Sequence, residues 1–332
     1  VVNRYLSHTH TTSKTSPECM PASNQLDPSS NLLSESLSVE GGKFPASHPF
    51  GPRSKRWEIC HSANQVTVLA CEVVFSLLLI FVGDNFVKLN YVNAPYVVTD
   101  SGDVILDIQH DKPYLTTSEV AVTDGLLLFF SIVIPSCSLL VFSIFFTTVK
   151  SDTFNIFSVL VLAVGLGEGV TAACKKYVGR LRPNFFNMCA FSKETFECSA
   201  DEALILQSRK SFPSGHSSLS FCTYTVLSLY LLGKIGLFSY NARYQYSMSV
   251  TSPLLRKRAY ALLSISVMVV PAIISMTRIR DQWHFPSDVI AGALVGVASA
   301  SFCYSLHYGP VFGEGSEFPI EQKIEAENLR KE

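Results

Sequence analysis

Apolar stretches recur along this chain at 66–82, 126–146, 156–173, 217–233, 259–276 and 289–306. Each is close to the ~20 residues that a helix needs to cross the hydrocarbon core of a bilayer. The second holds no charged residue, and the fourth begins directly after His216. The pattern predicts an all-α, polytopic membrane protein with six transmembrane helices. Residues 1–60 are rich in Ser and Pro and show no sustained apolar period, which predicts a disordered tail. The expected organisation is that tail over 1–60, a six-helix membrane domain over 61–306, and a short, acidic, solvated tail over 307–332.

Lys and Arg set the expected orientation. Arg53, Lys55 and Arg56 precede the first stretch, and Lys234, Arg243, Arg256, Lys257 and Arg258 fall in a loop without acids. Both regions are therefore expected on the cytosolic side. The loop over 83–125 is acidic and is expected outside: it carries Asp84, Asp100, Asp103, Asp107, Asp111, Glu119 and Asp124 against Lys88 and Lys112. Six crossings then put both termini in the cytosol. The loop over 174–216 is basic yet falls outside, which suits a loop built to hold phosphate.

Composition agrees with membrane insertion. The chain is 48% hydrophobic and 16% charged, against about a quarter charged in soluble domains. A net charge of −1 gives no electrostatic reason to expect nucleic acid as a partner. Four of the nine cysteines, Cys71, Cys137, Cys222 and Cys303, lie in apolar stretches, which does not fit a secreted disulfide framework. Cys189 and Cys198 share one polar loop and are candidates for a disulfide if that loop lies outside the cytosol. No Asn-x-Ser/Thr acceptor is present, no cleavable signal peptide is visible at the start, and no internal repeat is seen.

Chemistry-bearing residues cluster in three places. His284 and Asp288 stand four apart at the start of the sixth apolar stretch, hence on one helix face. A carboxylate that accepts from one imidazole nitrogen fixes the tautomer and frees the other nitrogen to attack. The same pair also fits a plain helix N-cap beside an interfacial histidine. His216 follows Pro213-Ser214-Gly215 at the start of the fourth stretch, placed to protonate a leaving alkoxide and then deprotonate a water. An ordinary Ser-capped helix start fits it as well. Lys175, Arg182 and Arg278 supply positive charge for the spread negative charge of a transferring phosphoryl group. Lys176 and Arg180 read instead as interfacial side chains that snorkel. Glu72 and Glu168 lie inside apolar stretches, and Glu168 is read as structural, paired with a basic or polar neighbour. Gly292 and Gly296 read as a helix-packing pair.

Jointly, Lys175-x6-Arg182-Pro183, Pro213-Ser214-Gly215-His216 and Arg278-x5-His284-x3-Asp288 resemble the signature of the type 2 phosphatidic acid phosphatase superfamily. More narrowly, Gly179-Arg180-Leu181-Arg182-Pro183-Asn184-Phe185 and Arg209-Lys210-Ser211-Phe212-Pro213 are similar to the eukaryotic lipid phosphate phosphatases. The motifs span 175–288, about a third of the chain. Thr277 stands where that family usually has Ser, and the 83–125 loop matches the animal enzymes poorly.

The resemblance implies a metal-independent hydrolase with no cofactor and an active site at the extracellular or lumenal helix ends. It implies His284 as a nucleophile that forms phosphohistidine, Asp288 as its orienting acid and His216 as acid, then base. Lys175, Arg182 and Arg278 would hold the phosphate, with Ser214 and Gly215 adding hydrogen bonds. Its substrates would be lipid phosphate monoesters: phosphatidate, lysophosphatidate, sphingosine 1-phosphate or ceramide 1-phosphate. Two alternatives stand beside it, a polyisoprenyl or lipid diphosphate phosphatase using the same site and a non-catalytic membrane scaffold of the same family. Plasma membrane is not separated from endoplasmic reticulum or Golgi, and a homo-oligomer is left open.

Overall fold

The computed structural model describes residues 55–146, 150–235, 253–311, 318–321 and 324. Most of the tail predicted over 1–60 and the middle of the basic loop over 234–258 lie outside the described residues. The chain divides into two units, 1–64 and 65–332. Of the first, only the beginning of helix α1 (Lys55–Asn85) is described. The account below concerns the second.

Helices dominate. After α1 the loop carries one small hairpin, β1 (Tyr96–Val98) paired antiparallel with β2 (Val104–Leu106), a minor departure from the all-α expectation. Next come α2 (Asp124–Leu128), α3 (Ile134–Phe146), α4 (Lys150–Val178), α5 (Phe185–Met188), α6 (Glu202–Ser208) and α7 (Gly215–Ile235). The chain continues with α8 (Pro253–Ser266), α9 (Val269–Arg280) and α10 (Pro286–His307).

Prolines explain the interruptions. Pro135 lacks an N–H for the carbonyl four residues earlier, and a π-helical turn over Phe129–Val133 joins α2 to α3 there. Pro271 would clash with the carbonyl of Val267, and the break between α8 and α9 falls at that point. Pro286 sits in the first turn of α10, where its missing N–H costs nothing.

Among the described residues, five segments are long and apolar enough to cross a membrane: Asn64–Asn85, Asp124–Ile144, Asp152–Val178, Arg258–Arg280 and Pro286–His307. They correspond to five of the six expected spans. The remaining one, α7, has spanning length at 21 residues, but it is rich in hydroxyls. Ser217, Ser218, Ser220, Thr223, Thr225 and Ser228 are all buried on it. Several satisfy themselves on their own helix, as Ser220 does by donating to the His216 carbonyl at 2.7 Å. Small residues let α7 lie close to α10, its most extensive partner. A Cβ on Gly292 would collide with the Ser214 carbonyl, and one on Gly296 would come 2.8 Å from the Cys222 nitrogen.

The apolar core gathers Leu139, Ile156, Val159, Tyr224, Val226, Tyr230, Cys303 and Tyr304 from α3, α4, α7 and α10. At one end of the bundle Asp152 accepts from Tyr230 Oη at 2.6 Å, Lys234 Nζ at 2.7 Å and Tyr308 Oη at 3.0 Å. Lys234 is therefore a buried, paired residue rather than a free loop charge. The start of the acidic tail is not solvated either. Tyr308 is fully buried, and Pro319 bridges back to it.

Candidate active site

The other end of the bundle collects the motif residues. Lys175 lies in the last turn of α4, His216 in the first turn of α7 and Arg278 in the last turn of α9, and His284 precedes α10. These four, with Arg182 and Gly215, line one cavity of about 310 Å³. Helices running in alternate directions thus bring residues more than a hundred positions apart to a single place. Cys189 and Cys198 form a disulfide in the loop beside it, with Cα atoms 5.2 Å apart.

The cations are held differently from one another. Arg182 is buried, donates from Nε to the Gln207 carbonyl at 2.8 Å, and lies 4.6 Å over the Trp283 ring. Burial lowers its guanidinium to about 9, with Asp288 opposing the shift, so it stays charged at neutral pH. Arg278 is buried and donates to Asp281 Oδ2 at 3.1 Å, and its Nη1 stands 3.4 Å from His216 Nε2. Lys175 makes no hydrogen bond or ion pair among the described residues. A Cβ on Gly215 would stand 3.0 Å from its Nζ, so the glycine gives the ammonium its place.

His284 is buried at 4% exposure. Burial pushes its imidazole down to about 3, with Asp288 pulling the other way, so the ring is neutral throughout the physiological range. Its Nδ1 lies 3.8 Å from Asp288 Oδ2, too far for a hydrogen bond, and has no partner among the described residues.

The reason is that Asp288 is already occupied. Its Oδ2 accepts from Ser211 Oγ at 2.6 Å and from the Phe285 N–H at 3.0 Å, and its Oδ1 accepts from Arg180 Nη1 at 2.6 Å. The Phe285 contact closes the N-terminus of α10. The carboxylate therefore does what the plain N-cap reading requires and also stands one short shift from the imidazole.

Ser214 is fully buried, and its N–H donates to the Asp288 carbonyl at 2.9 Å. Its Oγ has no partner among the described residues.

Two side chains depart from their sequence reading. Arg180 does not snorkel: besides holding Asp288, it lies 4.4 Å over the Phe285 ring and donates to Ser287 Oγ at 2.8 Å. Lys176, its neighbour in that reading, pairs with Asp84 at 3.0 Å. Glu168 lines the cavity within electrostatic reach of Lys175, the kind of basic neighbour expected for it, although its Oε1 accepts no hydrogen bond among the described residues.

The loop between α1 and α2 closes the site from above. Tyr114, Thr117, Val120, Val122, Thr123 and Asp124 all line the cavity. The loop is pinned by the Ala121 N–H on Asp281 Oδ2 at 2.9 Å, by Trp283 Nε1 on the Leu115 carbonyl at 3.2 Å, and by the Lys112 N–H on the Pro183 carbonyl at 3.0 Å. No motif marks these residues, so sequence reading tied the loop to substrate entry only as a whole and named none of them as a site residue. The acidity of the loop was the only signal.

The apolar segments and this cavity define an integral membrane protein with a basic, two-histidine pocket at one end of its helices. Residues 157–311 match the PAP2 superfamily. It is similar to Lipid phosphate phosphatase 2 of Arabidopsis thaliana, 35% identical over 165 residues, covering 47% of this chain and 50% of that one. With Lipid phosphate phosphatase 1 of the same organism it is 36% identical over 164 residues, 47% of this chain and 46% of that one. With Diacylglycerol pyrophosphate phosphatase 1 of Saccharomyces cerevisiae it is 26% identical over 220 residues, 62% of this chain and 71% of that one. The chain spans about half the length of the two plant relatives. No solved structure matches it.

Proposed function

We propose that this chain is a metal-independent lipid phosphate phosphatase that works through a phosphohistidine. The observation that carries this is the convergence of a neutral, buried His284, a second histidine and three cations on one cavity. His284 attacks the phosphorus with its free nitrogen as the P–O bond to the lipid breaks, and His216 delivers a proton to the departing alkoxide. His216 then takes a proton from water, whose oxygen attacks phosphorus while the P–N bond breaks, releasing inorganic phosphate. Lys175, Arg182, Arg278 and Ser214 Oγ hold the phosphoryl oxygens, and Asp288 steadies the imidazolium-like phosphohistidine.

The lipid nature of the substrate is supported by the cavity's position at the ends of apolar helices and by its apolar wall of Val120, Val122, Leu127 and Leu219. The names of the plant relatives point the same way. Phosphatidate, lysophosphatidate, sphingosine 1-phosphate and ceramide 1-phosphate all present a monoester that fits this chemistry.

With α7 counted as the sixth span, the site faces the extracellular or lumenal side. The cysteine bridge beside it favours that face, because disulfides persist in oxidising compartments. A lipid diphosphate is a second substrate class, favoured by the likeness to the yeast diphosphate phosphatase.

The test is phosphate release from phosphatidate in detergent micelles containing EDTA, comparing the full chain with His284→Ala. Release that persists in EDTA and vanishes in the variant supports the reading. Equal release from both proteins sinks the nucleophile. No release from either, over several lipid phosphates and diphosphates, favours the scaffold.

A further inference from the structure

One carboxylate in the cavity has no part in the chemistry above. Asp124 follows the loop that closes the site and begins α2, behind its capping residue Thr123. Its side chain is 85% exposed, yet it lines the cavity and brings Oδ1 to 3.7 Å from His216 Nε2. The two neighbouring aspartates are fully engaged, Asp288 by Arg180, Ser211 and the Phe285 N–H, and Asp281 by Arg278 and the Ala121 N–H. Asp124 accepts no hydrogen bond among the described residues.

A free carboxylate beside a site for a phosphate dianion is unfavourable on its own, because like charges at that range repel. The balance reverses when the bound molecule brings a donor of its own between phosphate and Asp124, and a charged donor does this best. The place of that donor follows from the geometry. His216 Nε2 faces the ester oxygen that leaves. Asp124 Oδ1 lies only 3.7 Å from Nε2, so with a lipid placed for that proton transfer the carboxylate would be within reach of the substituent one carbon further along.

We propose that Asp124 selects lipid phosphates carrying a hydrogen-bond donor on the carbon adjacent to the phosphate-bearing carbon. This rests on the phosphatase reading. A sphingoid base phosphate offers an ammonium there, and a lysophosphatidate offers a hydroxyl. Phosphatidate offers an ester oxygen, which only accepts and so leaves the carboxylate unpaired. The expected order is sphingosine 1-phosphate, then lysophosphatidate, then phosphatidate.

The experiment measures kcat/KM for these three lipids in mixed micelles with the purified full chain, Asp124→Asn and Asp124→Ala. Asp124 is exposed, so neither change opens a cavity in the core. In Asp124→Ala the ratio of sphingosine 1-phosphate to phosphatidate turnover should fall at least tenfold, with lysophosphatidate falling less. Asp124→Asn keeps an acceptor oxygen and loses the charge, so it should spare lysophosphatidate more than sphingosine 1-phosphate. If all three lipids lose the same factor, Asp124 acts on His216 rather than on substrate, and the proposal is overturned. Unchanged ratios overturn it too. A parent protein inert towards all three lipids removes the phosphatase reading and the selection with it, a result distinct from an active protein with flat ratios.

Discussion

Arg180 and Asp288 form a 2.6 Å ion pair across 108 positions of sequence, between the end of α4 and the start of α10. Arg180 is only 36% exposed on its side chain, and Asp288 is not exposed at all. The pair fixes the carboxylate that stands behind His284. In the proposed reaction Arg180 would act through Asp288, as a positioning residue rather than a catalytic one.

Its removal should therefore be felt in the chemical step. Arg180→Ala is expected to lower kcat roughly tenfold or more while KM for phosphatidate stays within about threefold, because the phosphate clamps are untouched. Arg180→Lys keeps the charge but loses the planar stack on Phe285, and should recover part of kcat. Steady-state kinetics on the purified variants decides this. A change confined to KM would assign Arg180 to substrate binding instead.

The buried, neutral His284 makes a pH prediction with a definite sign. Its folded pKa of about 3 lies below the ordinary 6.5. Between these values the unfolded chain binds a proton that the folded chain does not, so the stability it contributes is fully present above about 6.5. That contribution is lost progressively as pH falls toward 3. Thermal unfolding in detergent should show wild type losing more stability between pH 7 and pH 4 than His284→Asn. Parallel losses would mean that the ring is charged in the folded protein.

Packing between α7 and α10 holds the Ser214–His216 turn against the start of α10. A methyl at Gly292 collides with the Ser214 carbonyl, which belongs to the backbone and has little freedom to yield. Gly292→Ala should therefore displace the Ser214–His216 turn from α10 and reduce kcat/KM at least tenfold, with a fall in Tm of several degrees. Gly102→Ala serves as a contrast for space alone: its Cβ meets nothing within 4 Å, although its φ of +86° still carries a backbone cost. Wild-type-like kinetics for Gly292→Ala would show that the helix pair adjusts freely.

How much of this was readable from the sequence differs from element to element. The apolar stretches located five spanning segments, since length and hydropathy are local properties. They also located α7, although its buried Ser and Thr make it less apolar than a helix facing lipid. The six clustered residues Lys175, Arg182, Gly215, His216, Arg278 and His284 were all named in advance from motif spacing.

Other features depended on the tertiary structure. A basic residue near a helix end looks interfacial until a distant carboxylate is brought beside it, as Asp288 is brought to Arg180. Asp288 shows the same limit: four-residue spacing puts it on the face of His284, but three competing donors decide where its oxygens point. The loop carrying Asp124 has no motif, and only its closure over the cavity gives its carboxylate a position near His216. Helix positions and residue identities are thus local and were fixed by the chain itself. Which groups share a carboxylate, and which loop roofs the pocket, are settled by contacts between residues far apart in sequence, and no periodicity encodes those.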